Sequence, residues 1–84
     1  MIKNRFKERK GWLTASAGLK EGERSLLAEA NADSPEDLSR IDEYERETRD
    51  SIRIALSSIA SMYVLVRETS VRQGGIKLYL ERVL

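Results

Sequence analysis

The apolar pattern of this chain is strongest in its middle. From Leu38 the apolar or small positions continue as Ile41, Glu45, Thr48, Ile52, Ala55, Ile59, Met62 and Val66. The steps alternate between three and four, as along one seam of a helix. The seam is polar at Glu45 and Thr48. It widens in its second half, where Leu56, Tyr63 and Leu65 join it. Ile54 to Val66 carry no charge, whereas the 34 residues before Ile54 are dense in charge.

The start of this helix is marked by "NADSPEDLSR", residues 31–40. Ser34 is a suitable N-cap, and Pro35 suits the first helical position, where its missing N–H costs nothing. Glu36 and Asp37 put negative charge in the first turn, and Ser34 and Asp37 have capping-box spacing. Opposite charges four residues apart support the exposed face: Glu36–Arg40, Asp42–Arg46, Glu45–Arg49 and Arg46–Asp50. The pattern predicts a helix over 35–70, roughly 50 Å long.

Three weaker patterns flank it. Leu19, Leu26, Leu27 and Ala30 form the apolar stripe of a predicted helix over 19–31. Ile2, Phe6, Arg9 and Leu13 suggest an amphipathic first segment, with a bend or loop over 11–18. Gly11, Gly18 and Gly22 each weaken a helix by about 1 kcal/mol relative to Ala. The tail "IKLYLERVL" admits two readings. As a helix, Ile76, Leu80, Val83 and Leu84 share a face. As a strand, Ile76, Leu78 and Leu80 alternate behind a Gly74-Gly75 turn. Nothing else in the chain reads as strand and a lone hairpin is marginal in water, so the helix is favoured over 76–84.

The uncharged run is too short and too polar to cross a bilayer. A span needs about 20 apolar residues, and Arg53 and Arg67 bracket a run interrupted by Ser57, Ser58 and Ser61. As a helix it is apolar nearly all round and must be covered nearly all round. The flanking segments cover two sides. A second subunit or another protein is expected on the third, at Ile52, Leu56, Ile59, Met62, Tyr63 and Val66.

Composition points the same way. At 84 residues the chain makes one small domain, and domains of that size usually need a staple. It has neither cysteine nor histidine, so disulfides, thiolate metal sites and the usual general base near neutral pH are excluded. Oligomerisation or a partner is left as the expected staple. No secretory signal is visible, and the lack of cysteine fits a reducing, cytoplasmic setting.

The net charge of +1 hides three blocks: residues 1–10 are basic, 20–50 are acidic and 51–84 are basic. Such a chain can fold back on itself or pair with a second copy. The N-terminal cations Lys3, Arg5, Lys7, Arg9 and Lys10, with Phe6 and Trp12 nearby, suit contact with nucleic acid or an anionic membrane. They equally suit the chain's own acidic block, and the overall charge is not that of a dedicated nucleic-acid binder.

Catalytic chemistry finds little support. The acidic residues of 33–47 lie among arginines on a solvated face, and the run lacks a calcium-loop pattern. Gly74-Gly75 is not followed by Lys-Ser/Thr, so it is no phosphate loop. The serines at 57–61 have no histidine to activate them.

The expectation is an all-α fold: a helical hairpin with coiled-coil character, a long second helix, a short C-terminal helical segment, and assembly into oligomers. Function is expected to be non-enzymatic and free of cofactors, as a small assembly factor, co-chaperone or adaptor docking an apolar helix on a helical partner or on itself. That general shape resembles small accessory proteins of bacterial secretion and phage assembly. The alternative is an oligomeric nucleic-acid-binding regulator using the basic N-terminal arm.

Overall fold

The computed structural model describes residues 6–9, 11–70, 72 and 74–84. Its elements are β1 (Lys7–Glu8), α1 (Trp12–Ser16), β2 (Arg24–Asn31), α2 (Pro35–Ala55), α3 (Ser58–Ser61), β3 (Tyr63–Ser70) and β4 (Gly75–Arg82). The strands form one antiparallel sheet in the order β1-β2-β4-β3. The fold is therefore α/β. The all-α expectation, with its helical hairpin and coiled-coil character, is wrong.

Each misread segment has a physical reason. The predicted helix over 19–31 is β2, entered through a turn at Gly22, whose φ is +86°. A register shift between Leu26 and Ala28 interrupts the β2–β4 ladder. It brings Leu27 and Ala28, side by side in sequence, both into the core. Such a bulge destroys the period of two that identifies a strand and leaves a leucine pair that reads as helix.

The helix predicted over 35–70 stops at Ala55. Leu56 adopts a left-handed conformation (φ 41°, ψ 50°) and its N–H closes on Arg53 O at 3.2 Å. After the short α3, the β-branched and aromatic run from Tyr63 leaves the helical path and becomes β3, which suits a pleated surface better. The tail is likewise a strand rather than the favoured helix. Ile76, Leu78 and Leu80 are buried in alternation, and β4 is flanked by β2 and β3. A short helix, α1, replaces the loop expected over 11–18, and residues 7–8 of the expected amphipathic first segment are strand.

The start of α2 is where the cap residues put it. Ser34 Oγ accepts the Asp37 N–H at 3.2 Å. Asp37 is fully buried, and its Oδ2 accepts the Asn31 N–H at 3.0 Å. Asn31 Oδ1 accepts from Asp33 N–H at 3.0 Å. These bonds fasten the helix start to the end of β2, and Ala32 N–H donates to Gly74 O at 2.7 Å to bring in the β3–β4 turn. We call this the cap end.

One face of the sheet is covered by α1 and α2. Trp12, Leu27, Ala28, Ala30, Ile41, Ile76, Leu78 and Leu80 form the buried cluster between them. Among the described residues no helix covers the opposite face, here called the open face. There Arg24 spans three strands, bonding Glu81 at 3.0 Å and Glu68 at 2.5 Å, with its guanidinium 5.4 Å from the Tyr79 ring centre. Among the described residues no helix is long and apolar enough to cross a membrane.

Candidate interaction surface

Opposite the cap end, the register brings the start of β2, the start of β3 and the end of β4 together: Arg24 pairs with Glu81, and Tyr63 with Arg82. The end of α2 and all of α3 lead into the same place. So does α1, whose Trp12 ring sits edge-on to Tyr63 at 6.2 Å. Arg82 ties the loop after α1 to this end by donating to Leu19 O at 2.7 Å.

The large exposed apolar side chains among the described residues are Leu13, Ile54, Leu56, Ile59, Val64, Val83 and Leu84. All belong to the segments that meet at this one end. Leu56 is 89% exposed, Ile54 76% and Ile59 52%. A shallow open groove beside them is lined by Ile52, Arg53, Leu56, Ala60 and the serines 57, 58 and 61. We call this the apolar end. Local chain chemistry builds it: the left-handed turn at Leu56 projects that side chain outward, and Ser57 breaks the helix before α3 begins.

The residues expected to form a single helical stripe are separated by this arrangement. Leu56 and Ile59 stand exposed at the apolar end. Ile52 and Tyr63 pack against the core from its margin, and Met62 is half-buried at the α3–β3 junction. Val66 lies half-buried on β3, opposite Tyr79. Sequence reading missed Ile54, which falls off the seam, and assigned Val83 and Leu84 to a helix face. The signal that could have found them is an apolar residue at the far end of an element, beyond the last core position.

Of the basic arm, Lys3, Arg5 and Lys10 lie outside the described residues. Lys7 is exposed on β1. Arg9 donates its N–H to Leu27 O at 2.7 Å and its side chain pairs with Glu29 at 3.4 Å. These two residues thus belong to the edge of the sheet.

A cleft of about 210 Å³ lies between β1, α1 and α2, lined by Glu8, Arg9, Trp12, Tyr44, Glu47 and Thr48 among others. Burial pushes the Tyr44 phenol above its ordinary range, Glu8 adds to the rise, and the Thr48 hydroxyl opposes it. Among the described residues no group of three His, Cys, Asp or Glu is placed to hold a metal ion. On the far side of α2, Arg67 binds Asp42 at 2.7 Å and Glu45 at 2.9 Å. The Asp42 bond raises the Arg67 guanidinium above its ordinary range, partial burial opposes this, and Glu45 adds to the rise.

Comparison with protein families, with curated proteins and with solved structures returns no match for this chain.

Proposed function

We propose that this chain is a non-enzymatic interaction module, of the adaptor or assembly-factor kind, that docks its apolar end on an amphipathic helix of a partner protein. One observation carries the reading: Leu56, highly exposed, lines an open groove with Ile52 and Ala60, and the exposed Ile54 and Ile59 belong to the same α2–α3 segment. Scattered single apolar residues on a surface need no explanation, but a gathered patch marks an interaction site. The groove suits a helix because small residues, Ala60 and three serines, allow close approach beside Leu56 and Ile52. Arg53, with a side chain 74% exposed at the groove, favours a partner helix with acidic flanks. The comparison with secretion and phage accessory proteins rested on a helical hairpin and falls with it.

The test uses a synthetic amphipathic helix of leucine and glutamate as probe. Binding is followed by amide chemical shifts in the labelled protein. Shifts concentrated at Ile54, Leu56 and Ile59, with affinity reduced at least tenfold by Ile59→Asp and unchanged by Arg46→Ala, support the reading. Shifts spread over the open sheet face overturn it. So does flotation with phosphatidylcholine vesicles without peptide binding, which would make the apolar end a membrane contact.

A further inference from the structure

The two edges of the sheet are built differently. At one edge β1 covers β2 for two residues, both charged. Short, charged edge strands are how proteins prevent unwanted strand pairing. At the other edge β3 runs for eight residues in regular register with β4, with neither proline nor bulge. Val83 N–H donates to Met62 O at 2.7 Å, which makes Met62 and Val83 a hydrogen-bonded pair. The alternation of an antiparallel ladder then fixes the rest. Val64, Val66, Glu68 and Ser70 turn their backbone groups toward β4. Tyr63, Leu65, Arg67 and Thr69 turn theirs outward, where no strand among the described residues meets them.

The two charges on this edge do not guard it. Arg67 is held by Asp42 and Glu45 of α2, and Glu68 is held by Arg24 across the open face. What remains is a long, regular strand rich in β-formers, the form that templates another strand.

We propose that β3 pairs antiparallel with β3 of a second copy, across a two-fold axis perpendicular to the sheet that passes midway between the two Val66 residues. A self-pairing about this axis must join outward-facing residues with one another. Centred on Val66, it sets Tyr63 against Thr69 of the second copy and Leu65 against Arg67, and so uses all four outward-facing residues. Each such pair exchanges two backbone bonds. No like charges stand directly opposite. Glu68 faces Val64, and the diagonal neighbours of Arg67 are Tyr63 and Arg67 of the second copy, each arginine being held by its own Asp42 and Glu45. Moving the centre to Arg67 opposes two arginines. Moving it to Leu65 leaves Thr69 without a partner. The second copy is favoured over a foreign peptide because the strand complements itself in this register. The two-fold axis reverses the strands, so the two apolar ends point in opposite directions. On the reading of that end given above, the pair would be a two-headed connector.

Cysteine chemistry reads the register directly, because the chain has no cysteine of its own. Val66→Cys puts two thiols opposite each other in a non-hydrogen-bonded pair, with Cα atoms about 4.5 Å apart, inside the range that a disulfide spans. Under mild diamide oxidation V66C is expected to become mostly covalent dimer. V64C and E68C are each expected to form no disulfide alone and to cross-link when mixed. E43C, on the exposed face of α2, gives the background. Cross-linking of V66C no greater than that of E43C overturns the proposal, as does equal cross-linking of V64C alone.

Light scattering separates this inference from the proposed function. Leu65→Pro removes an outward N–H without touching the β4 ladder, so it is expected to yield a monomer. Ile59→Asp is expected to leave the dimer intact. The reverse result, a dimer lost in I59D and kept in L65P, overturns strand pairing while leaving the apolar end as an interface. If L65P does not fold, the cross-linking set decides.

Discussion

The two halves of α2 invert the usual relation between hydropathy and burial. Its N-terminal half is charged, yet it lies on the core: Asp37 and Ile41 are fully buried, and Leu38 and Tyr44 pack at the margin. Its C-terminal turns are apolar, yet Ile54 is exposed, and so is Leu56 beyond them. The cause is the face that the sheet covers. A helix of 21 residues is about 31 Å long, while a strand of eight residues spans about 26 Å. Fastened at the cap end, the helix is longer than the strands; in its last turn Ile52 still packs against the core, while Ile54 points off that face and is exposed. Burial along this helix follows its face more closely than residue type: Asp37, Ile41 and Thr48 are buried and Ile52 packs against the core, while Ile54, off that face, is exposed.

The same residue at both ends gives the sharpest test. Ile41→Ala should lower stability by about 2–5 kcal/mol, the usual cost of truncating a buried isoleucine. That is comparable with the whole stability of a small domain, about 5 kcal/mol. Ile54→Ala should change it by less than about 0.5 kcal/mol. Equal losses in urea titrations would show that the apolar end is part of the core.

The cap end supplies the next effect. Asp37→Ala removes the acceptor for the Asn31 N–H in a buried setting and should cost about 1–3 kcal/mol. Hydrogen exchange should then quicken first in the initial turn of α2. Uniform quickening along the helix would mean that the cap does not fasten it.

At the other end the sign should reverse. Leu56→Gly places the residue suited to φ 41° where a leucine is strained, so the stability measured by urea titration should rise by about 0.5–1 kcal/mol. A loss instead would show that the exposed Leu56 side chain supports the fold.

The smallest effect concerns Tyr44. Its phenol should titrate above the ordinary value of 10.0, and Tyr44→Phe should remove that late absorbance phase. Below 10.0 folded and unfolded chains both hold the proton, so stability is independent of this group. Above it the unfolded chain loses its proton first, so stability falls as pH rises toward the folded value. A Tyr44 phase at or below 10.0 would place the ring in a wetter setting.

Part of this was legible in one dimension. Ser34 and Pro35 announced the start of α2, and the Glu45–Arg49 pair four residues apart is formed at 2.8 Å. The alternation of Ile76, Leu78 and Leu80 is visible in the tail, but a strand needs a partner, and no second strand is legible in the sequence. The missing partners were hidden for separate reasons. β2 was masked by the bulge at Leu27. β3 was masked because Ile59, Met62 and Val66 continue the helical seam beyond the true end of the helix. The apolar end was legible only in part: the uncharged run pointed to Leu56 and Ile59, but Leu13, Val83 and Leu84 come from segments far apart in the chain.

By itself, then, the sequence determined what local chemistry controls. It set the capped start of α2, the charge blocks, the absence of cysteine and histidine, and the presence of an uncharged run in need of cover. The tertiary structure decided which apolar residues receive that cover. Strand formation depends on neighbours distant in sequence, since β4 becomes a strand only with β2 and β3 beside it. Exposure at the apolar end depends on which face of α2 and α3 the sheet covers. Neither is a property of any short window of residues, because a ladder bond and a buried contact each need two segments and the sequence pattern describes one at a time.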